Sequence, residues 1–106
     1  MNKLAITILF LLNVLWLFGQ DSSSLSGKVM DAKTEKPLLN AIISIQNSSF
    51  TEIADSDGFF KFTGLPAGSH LLQIRTVGYK EQLLVIELSE GESIDLGTIL
   101  LESDMS

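Results

Sequence analysis

The feature that most constrains this fold is a succession of short β-rich runs, each closed by a turn cluster. The runs are residues 25–30, 41–46, 50–54, 59–62, 70–77, 82–88 and 94–101. Asn47-Ser48-Ser49, Asp55-Ser56-Asp57-Gly58, Gly64-Leu65-Pro66-Ala67-Gly68, Gly78 and Ser89-Glu90-Gly91-Glu92 separate them, with a charged loop over 31–37. Gly, Pro, Asn, Asp and Ser dominate turns because each relieves a particular backbone constraint. No stretch carries a sustained helical period. Residues 83–88 could pass for a buried helical turn, but their length and the Gly-containing turns on both sides favour a buried strand. Seven strands at this spacing predict an all-β sandwich.

Alternation assigns faces, because successive side chains of a strand point to opposite sides. Phe60 and Phe62 share one face, with Lys61 and Phe59 on the other. Leu72 and Ile74 pair inward, opposite Gln73 and Arg75, and Asp95 points outward between Ile94 and Leu96.

Residues 1–19 are set apart as a secretory signal. Lys3 supplies a positive charge, and residues 4–18 are apolar except for Thr7 and Asn13. Fifteen residues suit a signal core and are short for a membrane span. Small Gly19 places the cut before Gln20, and an uncleaved anchor is the alternative. Residues 20–24 then form a Ser-rich flexible leader, 25–101 the sandwich, and 102–106 a polar, frayed tail. The localisation expected is periplasmic, outer-membrane associated or secreted.

Composition narrows function. The chain of 106 residues has 7 Lys and Arg against 13 Asp and Glu. Removing Lys3 with the signal takes the net charge from −6 to −7. That sign disfavours nucleic acid, which needs clustered bases, and anionic lipid. Membrane association is expected through a partner or an uncleaved signal. With no Cys there is no disulfide, thiolate metal site or lipidated N-terminal Cys.

The ordered motifs carry a resemblance. Gly27-Lys28-Val29 is followed by Asp31 and by Pro37-Leu38. Ala41 heads an Ile-rich strand, and Asp55-Ser56-Asp57-Gly58-Phe59-Phe60, Leu65-Pro66-Ala67-Gly68 and Gly78-Tyr79 come next. Together these resemble the carboxypeptidase-regulatory-like domain, a small transthyretin-like (prealbumin-like) β-sandwich. Two positions depart from its pattern: Ala54 replaces a Thr, and Glu35 stands where such domains often have a turn Gly. The resemblance implies turn roles for Asp55, Asp57, Gly58, Pro66, Gly68 and Gly78. A tight hairpin is expected at Gly58, and at Tyr79 a buried ring with its hydroxyl on backbone or water. In secreted proteins of Bacteroidetes-type bacteria, such domains stand at the N-terminus of TonB-dependent outer-membrane receptors. The chain would then be either a free-standing module or the front of a longer receptor.

Candidate chemistry is sparse. Aligning Gly58 with the Gly of an EF-hand loop puts Ile53 and Gly64 at ligand positions, so Asp55-x-Asp57-Gly58 reads as a turn. His70 is the single histidine, too few for a zinc peptidase, and no G-x-S-x-G elbow is present. Glu87, Glu90, Glu92 and Asp95 read as a solvated turn before a cation or basic-partner patch. Phe59, Phe60, Phe62 and Tyr79 read as core before a sugar platform. No cofactor or metal is expected, and the reading is a non-enzymatic interaction module of the cell envelope. The alternatives are a secreted carbohydrate- or peptide-binding domain and a non-catalytic part of a carboxypeptidase-like hydrolase. The expected contact is an envelope or receptor protein adding to a strand edge at Ile94, Leu96, Thr98 and Ile99.

Overall fold

A computed structural model describes residues 23–104. The signal expected over 1–19, residues 20–22 of the leader, and residues 105–106 lie outside the described residues. Seven strands follow in order: β1 (Ser24–Asp31), β2 (Ile42–Ile45), β3 (Thr51–Ile53), β4 (Phe59–Thr63), β5 (Gly68–Arg75), β6 (Gln82–Leu88) and β7 (Ser93–Leu101). They make a three-stranded sheet ordered β4-β1-β7 and a four-stranded sheet ordered β3-β2-β5-β6. Every neighbouring pair is antiparallel except β1 and β7, which run parallel. The strand count and the all-β class agree with the sequence reading.

The alternating side chains meet between the sheets. Leu25, Val29, Phe60, Phe62, Ile99 and Leu101 come from one sheet, and Ile43, Ile45, Leu72, Ile74, Ile86 and Leu88 from the other. Phe60 and Phe62 lie inward and edge-to-face, with ring centroids 6.1 Å apart, while Phe59 is exposed. Gly27 faces Phe60 across the β1–β4 ladder. A Cβ there would come within 2.9 Å of the Phe60 ring, so the ring lies directly over the bare backbone.

The corners differ from expectation in one instructive way. Asp55-Ser56-Asp57-Gly58 does not close a hairpin, because β3 and β4 belong to different sheets. It is a corner on which the chain changes sheets. Asp55 Oδ1 accepts from the N–H groups of Asp57 (2.9 Å) and Phe59 (3.0 Å). Gly58 takes φ 77° and accepts from the Val29 N–H at 2.8 Å. The local chemistry of a D-x-D-G turn is the same for a hairpin and a corner, and alternation does not reveal sheet membership. The true hairpins join β2 to β3, through Asn47 at φ 61°, and β5 to β6. The run at Pro66 and Gly68 likewise crosses between sheets, from β4 to β5.

Both ends of the domain are better tied than their polar composition suggests. Ser24 opens β1. Ser23 is buried, its Oγ donates to the Leu65 carbonyl, and its own carbonyl accepts from Gly64 N–H at 2.9 Å. The flexible leader therefore does not extend through 23 and 24. Residues 102–104 are not frayed: Glu102 O accepts from Lys80 N–H at 2.8 Å and Asp104 N–H donates to Gly78 O at 3.1 Å. Small polar side chains satisfied by a neighbouring loop look, in sequence, like a solvated linker.

Candidate functional site: the open strand edges

Two sheets have four outer strands, and those four are not equivalent. β3 is three residues long, too short to template a partner. β3 and β4 lie at one side of the sandwich, joined by the corner through Gly58. β6 and β7 lie at the other, joined through residues 89–92. Among the described residues, each has a neighbouring strand on one side only.

Along β7, hydrogen-bond directions follow from two bonds. Ala32 N–H donates to Leu101 O, and Ser24 N–H donates to Glu92 O, both at 2.9 Å. The N–H and C=O of one strand residue point the same way, and the direction alternates along the strand. Leu101 and Ile99 therefore face β1, as do Ile94 and Leu96. Ser93, Asp95, Thr98 and Leu100 face outward. The phase changes at a bulge where the register shifts between Ser26 and Lys28. Gly97 sits there at φ 70°, its N–H held by Asp95 Oδ1 at 2.8 Å. This corrects the expectation for the four candidate edge residues: Thr98 presents free main-chain groups, whereas Ile94, Leu96 and Ile99 use theirs on β1. A bulge also twists an edge away from regular pairing.

β6 is the more open edge, and the sequence reading passed over it. Gln46 N–H donates to Leu71 O at 3.0 Å, so Leu71 faces β2. His70, Leu72 and Ile74 then face β6, where they pair with Ile86, Leu84 and Gln82. Leu83, Val85 and Glu87 are left with outward N–H and C=O groups. Their side chains lie on the solvent face, where Leu83 is 50% and Val85 69% exposed. The ladder with β5 runs unbroken from Gly68–Leu88 to Ile74–Gln82. No Pro, Lys or Arg occurs in the strand. The overlooked signal was that Leu83-Leu84-Val85-Ile86 is apolar on both faces, as a strand covered on both sides would be.

At the far end of β6, two sequence motifs meet. Asp31 Oδ1 accepts from Lys33 N–H (2.7 Å) and Thr34 N–H (2.9 Å). Its Oδ2 accepts from the Tyr79 hydroxyl. The Tyr79 bond first, then the two backbone bonds, lower the Asp31 pKa from 3.8 to about 2. The same bond raises the Tyr79 pKa. Tyr79 thus uses a carboxylate, not backbone or water. Its half-buried ring packs on the core. The clamp joins the end of β1 to the loop that follows β5, and Gly78, at φ 86°, turns that loop.

The remaining candidates do not assemble. Asp55 is occupied by its own turn, and Glu92 Oε1 accepts from Ser89 N–H at 2.9 Å. Among the described residues no group of three His, Cys, Asp or Glu could hold a metal ion. His70 Nε2 lies 2.7 Å from Pro66 O, beside an open concavity of ≈ 530 Å³ flanked by Phe50, Gln46 and Ser69. The aromatics proposed for stacking are dispersed: two in the core, one on the surface and one in the clamp. Among the described residues no helix is long and apolar enough to cross a membrane.

The architecture defines the class as a transthyretin-like, prealbumin-like β-sandwich. The chain belongs to the CarboxypepD_reg-like domain family, whose sequence profile matches residues 25–106. No curated protein sequence matches it significantly. Among solved structures it is similar to a chain of a type II cohesin–X-dockerin complex from Acetivibrio cellulolyticus. That likeness has 19% identity and TM-score 0.65, over 74% of this chain and 56% of the other. It is also similar to BcpA, the major pilin subunit of Bacillus cereus (12%, TM-score 0.65, 79% and 31%). A third is the 5-hydroxyisourate hydrolase of Klebsiella pneumoniae (17%, TM-score 0.57, 76% and 87%). The chain thus spans little more than half of the first of these and a third of the second. At such identities the likeness is one of fold.

Proposed function

We propose that this domain is a non-enzymatic accessory module that docks a protein of the cell envelope along an open strand edge. The setting is a TonB-dependent outer-membrane receptor system, reached by export through residues 1–19. The observation that carries the reading is the regular, uncharged-to-acidic edge of β6, whose outward groups at Leu83, Val85 and Glu87 have no strand partner among the described residues. An added strand would gain main-chain hydrogen bonds along the edge. Membership of a regulatory-like domain family supports an accessory role; the fold itself is shared by a pilin subunit, a cohesin–dockerin complex chain and a hydrolase.

A photo-crosslinking side chain at Val85, at Thr98, or at Asp57 on the opposite corner tests the reading in native envelopes. One defined envelope protein is expected to crosslink from Val85 or Thr98 and not from Asp57. Crosslinks from neither edge position would remove the edge-docking function.

A further inference from the structure

The residues that build the open side of the sandwich have a one-sided composition. From residue 81 to the last residue the sequence has seven Asp and Glu and no Lys or Arg. That segment supplies both β6 and β7. Glu87 stands on β6 itself, exposed on the same face as Leu83 and Val85. Glu81 precedes the strand, with one carboxylate oxygen accepting from the Gln73 side-chain amide on β5, and Glu90 follows it; both are exposed. The one Lys or Arg within the strands of this sheet, Arg75, lies on the inboard strand β5. Lys80 is paired with Glu102 at 3.7 Å. Natural edges are commonly blunted by Lys, Pro or a bulge. β7 has its bulge, while β6 has none of the three.

From this edge and its charge we infer that the β6 partner is an extended segment of another protein, apolar in its middle and carrying Lys or Arg at both ends. The inference rests on the edge-docking reading and adds the chemistry of the occupant. Leu83, Val85 and the half-buried Leu84 offer an apolar strip on both faces of the added strand. Glu81 and the Glu87–Glu90 pair bracket that strip and favour a base opposite each end. Cross-strand pairs of opposite charge are favourable and like charges directly opposite are not. A second copy of this chain is disfavoured on the same ground. Pairing β6 with itself would bring two such acidic segments together without a base from either.

The probe is a blocked synthetic peptide, Lys-Thr-Val-Ile-Val-Thr-Lys, compared with its counterpart carrying Glu at both ends. Binding to the whole mature chain is followed by amide chemical shifts and by titration at two salt concentrations. The Lys peptide is expected to shift the amides of Leu83, Val85 and Glu87 before those of β7. Its affinity should exceed that of the Glu peptide by about two- to fivefold per charged end and fall with salt. Glu87→Lys should reduce the preference by one such factor. Val85→Pro should abolish binding with circular dichroism unchanged, because the Val85 N–H has no ladder partner to lose. Should Val85→Pro fail to fold, Val85→Lys, which adds an edge charge and keeps the backbone, must show the same loss of the Lys peptide. Equal binding of the two peptides, shifts confined to β7, or a β6-mediated dimer in sedimentation would each overturn the inference. If neither peptide binds while the Val85 crosslink to an envelope protein persists, the chemistry assigned to the partner is wrong and the edge reading stands. If that crosslink is missing too, the edge reading falls with it.

Discussion

Replacing Gly58 by Ala, with Gly64→Ala as its control, separates two reasons for a turn glycine. Both positions are left-handed, at φ 77° and 73°. At Gly64 a Cβ meets nothing within 4 Å. Its substitution therefore costs the conformational term, roughly 1–2 kcal/mol, offset by roughly 0.4–1 kcal/mol from the stiffer unfolded chain. A net loss of about 1 kcal/mol remains. At Gly58 the same Cβ would stand 2.4 Å from Val29 O, well inside contact distance. That carbonyl accepts from Leu38 N–H at 3.0 Å, and Val29 N–H donates to Gly58 O at 2.8 Å. Relieving the clash must move backbone and strain those bonds. Overpacking of this kind costs about 1–3 kcal/mol, and each weakened bond up to about 1 kcal/mol. The total for Gly58→Ala is about 3–4 kcal/mol, a large part of the roughly 5–15 kcal/mol that holds a typical domain folded. Thermal melts followed by circular dichroism should show a drop of about 5 °C for Gly64→Ala and at least about 12 °C for Gly58→Ala. Equal drops would refute the claim that the sheet-changing corner is fixed by close approach to β1.

Glu35 is held at φ 59°, so Glu35→Gly should stabilise the domain by about 0.5–1 kcal/mol, read as a higher urea midpoint with unchanged slope. Asp31 has a folded pKa of about 2, below its ordinary 3.8. Its contribution is therefore complete above about pH 4 and lost as pH falls toward 2. Asp31→Asn should lower the melting temperature at pH 7 and flatten its dependence between pH 4 and 2, and Tyr79→Phe should flatten it in part. The direction of main-chain groups on β7 separates two neighbours. Thr98→Pro should leave the fold intact, whereas Ile99→Pro removes an N–H from the β1 ladder and should unfold it, as circular dichroism would show.

What the sequence made legible was local. Phe60 and Phe62 declared their face by alternation, and the strand limits from 24 to 101 agree with the runs to within a few residues. Glu35 stood out as a departure from the turn glycine of the family, and its backbone is indeed left-handed. Pairing was not legible. The parallel β1–β7 contact joins the first strand to the last, and nothing in either strand signals it. Without pairing, the Gly58 corner looked like a hairpin. The candidate edge on β7, chosen because that strand leads into whatever lies C-terminal to it, is an outer strand, but the bulge at Gly97 and the phase of its hydrogen bonds turn most of the named residues toward β1. The Asp31–Tyr79 clamp spans 48 positions, so each partner was visible and their meeting was not. The tail was read as frayed because its partners, Gly78 and Lys80, lie in a loop distant in sequence.

Amide hydrogen exchange along β6, measured residue by residue on the free domain and again with its envelope partner, tests edge docking most directly. In the free protein, Leu84 and Ile86 should be protected and Leu83, Val85 and Glu87 should exchange fast, in strict alternation. Partner binding should slow the three outward amides and leave the inward ones as they were. Uniform protection in the free protein, or outward amides that stay fast in the complex, would contradict it.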